Sequence, residues 1–164
     1  MSHSDEAGSA THVVVAESAS VDLNALREMA HRLAAAVRRG DLILLEGPLG
    51  AGKTTFVRML ADDLGVTDQV RSPSFTIANI YEGPIPVNHL DLYRLESLEE
   101  EDVLALDEYV GPDVITMVEW PEAGRERLGD PAWVVLLGHR DVDTRTLHIE
   151  AGDTEIAQRW ERAR

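Results

Sequence analysis

Apolar and polar positions alternate with two periods along this chain. A short apolar run, Val13-Val14-Val15, predicts a first strand. Ser20 reads as a helix cap with Asp22 in the first turn, and Leu26, Met29, Leu33 and Val37 mark one helical face that Gly40 closes. Asp41 opens a continuous apolar run, Leu42-Ile43-Leu44-Leu45, the pattern of a buried strand. A second helix follows with Phe56, Leu60 and Leu64 in register, ending at Gly65.

Beyond it, residues 70–75 lack helical period and contain Pro73, which predicts a loop entering a strand at Thr76 to Tyr81. Glu82-Gly83-Pro84 reads as a turn, and Val87 to Leu92 as a strand paired back in a hairpin. Ser97 with Glu100 forms a capping box for a short acidic helix through about Leu106. Val114 to Val118 is a continuous apolar run ending in Glu119-Trp120-Pro121. Trp133 to Leu137 and Thr146 to Ile149 predict two strands joined by a polar connection, His139 to Thr144, short enough for a hairpin. Asp153 or Thr154 caps a last helix with Ile156, Trp160 and Ala163 in register. Residues 1–12, rich in Ser, Ala, Gly and His, read as a disordered lead-in, and 13–164 as one domain.

Composition narrows the function. The 164 residues suit one full-sized core. With no cysteine, disulfides and thiol catalysis are excluded, which is compatible with a cytoplasmic protein. No apolar run approaches a membrane span and no signal peptide is visible. A formal net charge of −15 disfavours direct, strong contact with a nucleic-acid backbone.

The candidate chemistry centres on Gly47-Pro48-Leu49-Gly50-Ala51-Gly52-Lys53-Thr54, which fits the phosphate-binding pattern G-x-x-x-x-G-K-[ST] between a buried strand and a helix. Gly50 and Gly52 leave room for backbone N–H groups to turn around phosphate oxygens. The helix beginning near Lys53 adds its positive dipole end. Lys53 would reach the outer phosphates and the Thr54 hydroxyl would ligate Mg²⁺. Lys53 is the only lysine in the chain, and the remaining 14 basic residues are Arg. A compact ammonium fits inside such a loop where a planar guanidinium does not.

A hydrolase of this kind needs a second acid near the metal. Glu119, at the end of a core strand, is one candidate; Asp91 is the other, sharing a face with His89 opposite Leu90 and Leu92. The bland reading of His89 and Asp91 is a polar edge face. Ser72 and Ser74 bracket Pro73 in a loop that could close over the γ-phosphate. No Asn-Lys-x-Asp box for guanine can exist without a second lysine, so adenine is the better fit. Competing readings are a small-molecule kinase, for which Arg125 and Arg127 follow Trp120 in a stretch too short for a recognisable lid, and a non-catalytic nucleotide-gated scaffold.

Four stretches in order, Gly50-Ala51-Gly52-Lys53-Thr54-Thr55, Ser72-Pro73-Ser74-Phe75-Thr76, His89-x-Asp91-x-Tyr93-Arg94-Leu95 and Glu119-Trp120-Pro121-Glu122, resemble the bacterial TsaE (YjeE) family of tRNA threonylcarbamoyladenosine biosynthesis. The resemblance runs from about Val13 to Ile149. It implies a P-loop NTPase fold: an α/β three-layer sandwich with a parallel core and added antiparallel strands. It further implies ATP and Mg²⁺ as cofactors. The amides of Gly50 to Thr55 and the Lys53 side chain would bind phosphate, Thr54 and Glu119 would hold Mg²⁺, and Lys53, Asp91 and Glu119 would be catalytic. Trp120 would lie beside the site. Arg145 would approach the base, with Arg140 as its competitor. The implied partners are the proteins TsaB and TsaD, with tRNA met only indirectly. Three positions depart from the family pattern: Pro48 stands where Asp is usual, Ser74 where Thr is usual, and Ala105 where Gly is usual.

Overall fold

The computed structural model describes residues 11–73, 76–94 and 105–164. The lead-in up to residue 10, Ser74, Phe75 and residues 95–104, which hold most of the acidic helix expected from Ser97 through about Leu106, lie outside the described residues.

The strands are β1 (Val13–Val21), β2 (Leu42–Glu46), β3 (Ala78–Tyr81), β4 (Val87–Asp91), β5 (Ile115–Glu119), β6 (Trp133–His139) and β7 (Arg145–Ala151). They form one seven-stranded sheet in the order β1-β7-β6-β2-β5-β4-β3. The four central strands run parallel, with β2 between β5 and β6 and β4 beside β5. Antiparallel pairs extend both edges: β3 on β4, and β7 on β6 followed by β1 on β7. The continuous apolar runs are those of β2 and β5, because these strands are covered on both faces.

Helices α1 (Leu23–Ala36), α2 (Lys53–Asp63) and α4 (Thr154–Arg162) share a core with one face of the sheet. A smaller core on the other face gathers Leu42, Leu44, Leu90, Val118 and Val134 with Leu106 and Leu128. Leu106 opens a 3-10 turn, Leu106–Tyr109, and Leu128 ends the short α3 (Arg125–Leu128). The sandwich therefore has three layers over the parallel centre. The outer face of β1 and β7 carries polar pairs instead, with Glu150 between His12 and His148 at 3.0 and 2.9 Å.

Local differences from the sequence reading have local causes. Strand β1 runs through Ser20, so Ser20 does not cap α1; the Asp22 carboxylate accepts from the Ala25 N–H at 2.8 Å and is the cap. Extra pairing with β7 carries β1 beyond its apolar run, past two irregularities in register. The last helix is capped by Asp153, which accepts from the Ile156 N–H at 2.7 Å. Ala105 adopts φ −89° and ψ 3°, open to any residue, so nothing there requires the usual Gly.

The buried Asp41 carboxylate fixes where β2 starts. It accepts from the Arg38 N–H, from the Trp133 indole at 3.0 Å and from Arg159 at 3.0 Å. Removing one partner of such a buried charge typically costs about 3–5 kcal/mol. This cluster ties α4 and β6 to the strand that delivers the glycine-rich loop.

Candidate nucleotide site

The loop leaves β2 at the point where strand order switches between β5 and β6, outside the carboxyl ends of the parallel strands, the general ligand position of open α/β sheets. Gly47 cannot be replaced: a Cβ there would lie 2.2 Å from the Leu137 carbonyl oxygen. Gly52 takes φ 102° as the residue before α2 and offers no side-chain cap. The first-turn amides of α2, on Lys53, Thr54 and Thr55, are thus available to an anion. The Ala51 N–H differs, being held by the Pro48 carbonyl at 3.1 Å. Pro48 contributes to the loop through its carbonyl, which proline retains.

The Lys53 ammonium donates to the carbonyls of Gly47 and, at 3.1 Å, Pro48. It also lies 3.7 Å from the centre of the Trp120 ring. Burial lowers the Lys53 pKa from its usual 10.5, opposed by the nearby carboxylates of Glu119, Asp91 and Glu122. Lys53 is buried at 5% exposure, packed against the aromatic face of Trp120.

Thr54 and Glu119 are brought together. The Thr54 hydroxyl donates to Glu119 Oε1 at 2.7 Å. Glu119 is 2% exposed, and its Oε2 accepts from His89 Nε2 at 2.6 Å. Asp91 is the in-register neighbour of Glu119 across β4 and β5. One Asp91 oxygen accepts from the Ser72 hydroxyl at 2.9 Å and the other from the Tyr93 N–H at 3.0 Å. A cleft of about 290 Å³ collects Leu49, Gly50, Gly52, Lys53, Thr54, Thr55, Ser72, Asp91, Glu119 and Trp120. Both candidate carboxylates therefore belong to the same cleft as the loop.

A second cavity of about 230 Å³ adjoins it, sharing Gly52 and Thr55 and lined further by Val21, Leu23, Leu26, Val142 and Arg145. Arg145 sits under the loop, with Nη2 3.5 Å from the Gly50 carbonyl, whereas Arg140 donates to the Ala19 carbonyl on β1 at 2.8 Å. Of the two arginines, Arg145 is the one beside the loop. Arg125 is paired with Glu46 at 2.8 Å.

The sequence reading gave no role to two contributors, His89 and His139, and expected Trp120 beside the site, where the cleft places it. His89 is fully buried under Glu119 in a strand with sheet neighbours on both sides, which corrects the polar-edge alternative. Its signal was the strand face it shares with Asp91, two residues further along β4. His139 donates to the Leu49 carbonyl at 2.9 Å and pins the loop tip from the end of β6, with no local signal. Trp120 has φ 54° and ψ 53° and is the only non-glycine residue with positive φ among the described residues. Its ring packs on Tyr93 at 4.8 Å between centroids. Strained backbone of this kind concentrates at functional sites.

A mostly parallel sheet, a glycine-rich turn between β2 and α2, a lysine inside that turn and a threonine–glutamate pair at the helix start define a P-loop NTPase fold. The TsaE family model, threonylcarbamoyl adenosine biosynthesis protein TsaE, matches residues 20–149. The chain belongs to this family, which acts in tRNA threonylcarbamoyladenosine biosynthesis. It is 37% identical to the TsaE biosynthesis protein of Bacillus subtilis over 82% of each chain. It is 39% identical to that of Streptomyces coelicolor over 82% of this chain and 93% of the relative. It is 49% identical to that of Synechocystis over 62% and 67% of the two chains. The crystal structure of Bacillus subtilis YdiB superposes with a TM-score of 0.75 at 30% identity, covering 93% of this chain and 97% of that one. Among the described residues, no helix is long and apolar enough to cross a membrane.

Proposed function

We propose that this chain binds ATP with Mg²⁺ and hydrolyses it as the ATPase component of tRNA threonylcarbamoyladenosine formation, in a cytoplasmic complex with TsaB and TsaD. The observation that carries the reading is the Thr54–Glu119 bond at the head of α2, with Lys53 inside the adjoining loop. The donor set fits a hard cation held by few protein ligands: hydroxyl and carboxylate oxygens, with room left for phosphate and water. No cluster of three or more acidic, His or Cys ligands occurs among the described residues, as suits a metal that shares its ligands with a nucleotide.

In this reading the α2 amides and Lys53 bind phosphate oxygens, and Lys53 exchanges the Gly47 and Pro48 carbonyls for them. Thr54 and Glu119 hold Mg²⁺, which supplies charge neutralisation for the phosphates. Asp91, steadied by Ser72, orients the attacking water. The base enters the cavity beside Arg145, which Asp22 and Asp143 also line, and the absence of an Asn-Lys-x-Asp box favours adenine. Arg125 is paired with Glu46, and the stretch that follows Trp120 is too short for the lid a kinase would need. The net charge of −15 leaves tRNA to the protein partners.

The test is phosphate release from ATP by the chain alone, with TsaB and TsaD, with tRNA, and with both. Slow turnover alone and faster turnover with the proteins is the expected result. Stimulation by tRNA without any effect of the proteins rejects it. Equal or tighter displacement of bound ATP by GTP rejects the adenine assignment.

A further inference from the structure

Resting on the proposed Mg²⁺ site, we infer that His89 is a positioning residue that sets the orientation of the Glu119 carboxylate and so the affinity of the site for metal-bound nucleotide. His89 and Asp91 share one face of β4, and Asp91 is in register with Glu119 on β5. The imidazole thus lies one step below the carboxylate on the sheet face that supports α2. The carboxylate only accepts, so Nε2 carries the hydrogen in the 2.6 Å bond to Oε2. That bond leaves Oε1 facing the Thr54 hydroxyl at 2.7 Å. The two oxygens of Glu119 are therefore engaged from opposite directions, one from the core and one from the site.

The surroundings argue against a merely structural histidine. His89 has 0% exposure, and its in-register neighbour Met117 is as fully buried. Its Nδ1 has no hydrogen-bond partner among the described residues. An apolar side chain would suit such a position better, because a buried polar group without a partner costs free energy. The polar capacity of the ring is spent on Glu119 alone. Partners that orient a metal-ligating group from behind typically change metal affinity by 10–100-fold when removed.

The experiment is calorimetric titration of ATP in Mg²⁺ and in EDTA for the full chain and its variants, with thermal unfolding as the check on folding. His89→Leu, which removes the donor, is expected to weaken Mg²⁺-dependent binding about ten-fold and to change binding in EDTA less than about two-fold. His89→Gln, whose amide reaches the Nε2 position, restores most of the loss. In a Glu119→Gln background, His89→Leu adds no further metal-specific loss. If His89→Leu does not fold, His89→Asn against His89→Gln carries the same contrast, since the shorter amide cannot reach Glu119. Equal losses with and without metal, or no loss in either, overturn the inference. A wild-type chain whose ATP affinity is indifferent to Mg²⁺ overturns the metal site itself, and is read before any variant is made.

Discussion

Glu119 and Asp91 end neighbouring parallel strands in register, yet they live in different surroundings. Glu119 is almost fully buried, and both of its oxygens are held by side chains of regular elements: His89 on β4 and Thr54 on α2. Asp91 is half-buried, and its partners are Ser72 and the backbone of Tyr93, both outside helices and strands. The inner carboxylate is built into the core of the fold; the outer one depends on where two loops come to rest. A rigid inner half suits tight placement of a cation. An outer half held by loops suits a step that a docked partner completes, because loop positions are the cheapest to shift.

The sharpest test of that contrast removes the charge both carboxylates face. Lys53→Ala should lower ATP turnover by about 10²–10³-fold, the scale of losing a donor to transition-state charge, with the fold retained by circular dichroism. Unchanged turnover would sink the P-loop reading and the comparison with it. In wild type, burial holds the Lys53 pKa below 10.5, so the ammonium loses its proton at lower pH than an ordinary lysine. Nucleotide affinity should then fall on the alkaline side before that value, and Lys53→Ala should abolish this limb of the profile.

Asp91→Asn comes next. Turnover should drop about 100-fold, as when a water-orienting base is lost, while ATP affinity stays within about two-fold. Glu119→Gln should do the reverse in kind, lowering Mg²⁺-dependent affinity by at least about ten-fold and leaving affinity in chelator unchanged. If the two variants gave the same signature, the division into a metal-holding and a water-orienting carboxylate would fall. The smallest effect is assigned to Ser72→Ala. Loss of one hydrogen bond to a charged group should slow turnover roughly ten-fold in the isolated chain. The loss should shrink when TsaB and TsaD are present, and a loss that grows with the partners would place them away from this loop.

Much of this site was legible in the chain because its signals are local. The glycine-rich loop is recognisable from spacing alone, since strand, turn and helix follow one another and the backbone geometry demands those residue types. Glu119 could be placed at a strand end because the largely apolar run Val114 to Val118 precedes it. The boundaries of β1 and the cap of α1 were not legible. They depend on β7, whose backbone extends β1 past Ser20 and hands the cap to Asp22.

Sequence by itself determined the phosphate loop, the two candidate carboxylates and the family, because motif spacing, turn chemistry and side-chain periodicity act over a few residues. Only the tertiary structure decided which groups meet. It set His89 beneath Glu119, Ser72 against Asp91, and His139 on the loop tip at Leu49. It also turned Arg145 toward the loop and Arg140 toward β1. These contacts span tens of residues along the chain and follow from strand order and from which face of the sheet is buried. No local pattern encodes that order; it is fixed when the parallel strands and the helices over them bury a common core.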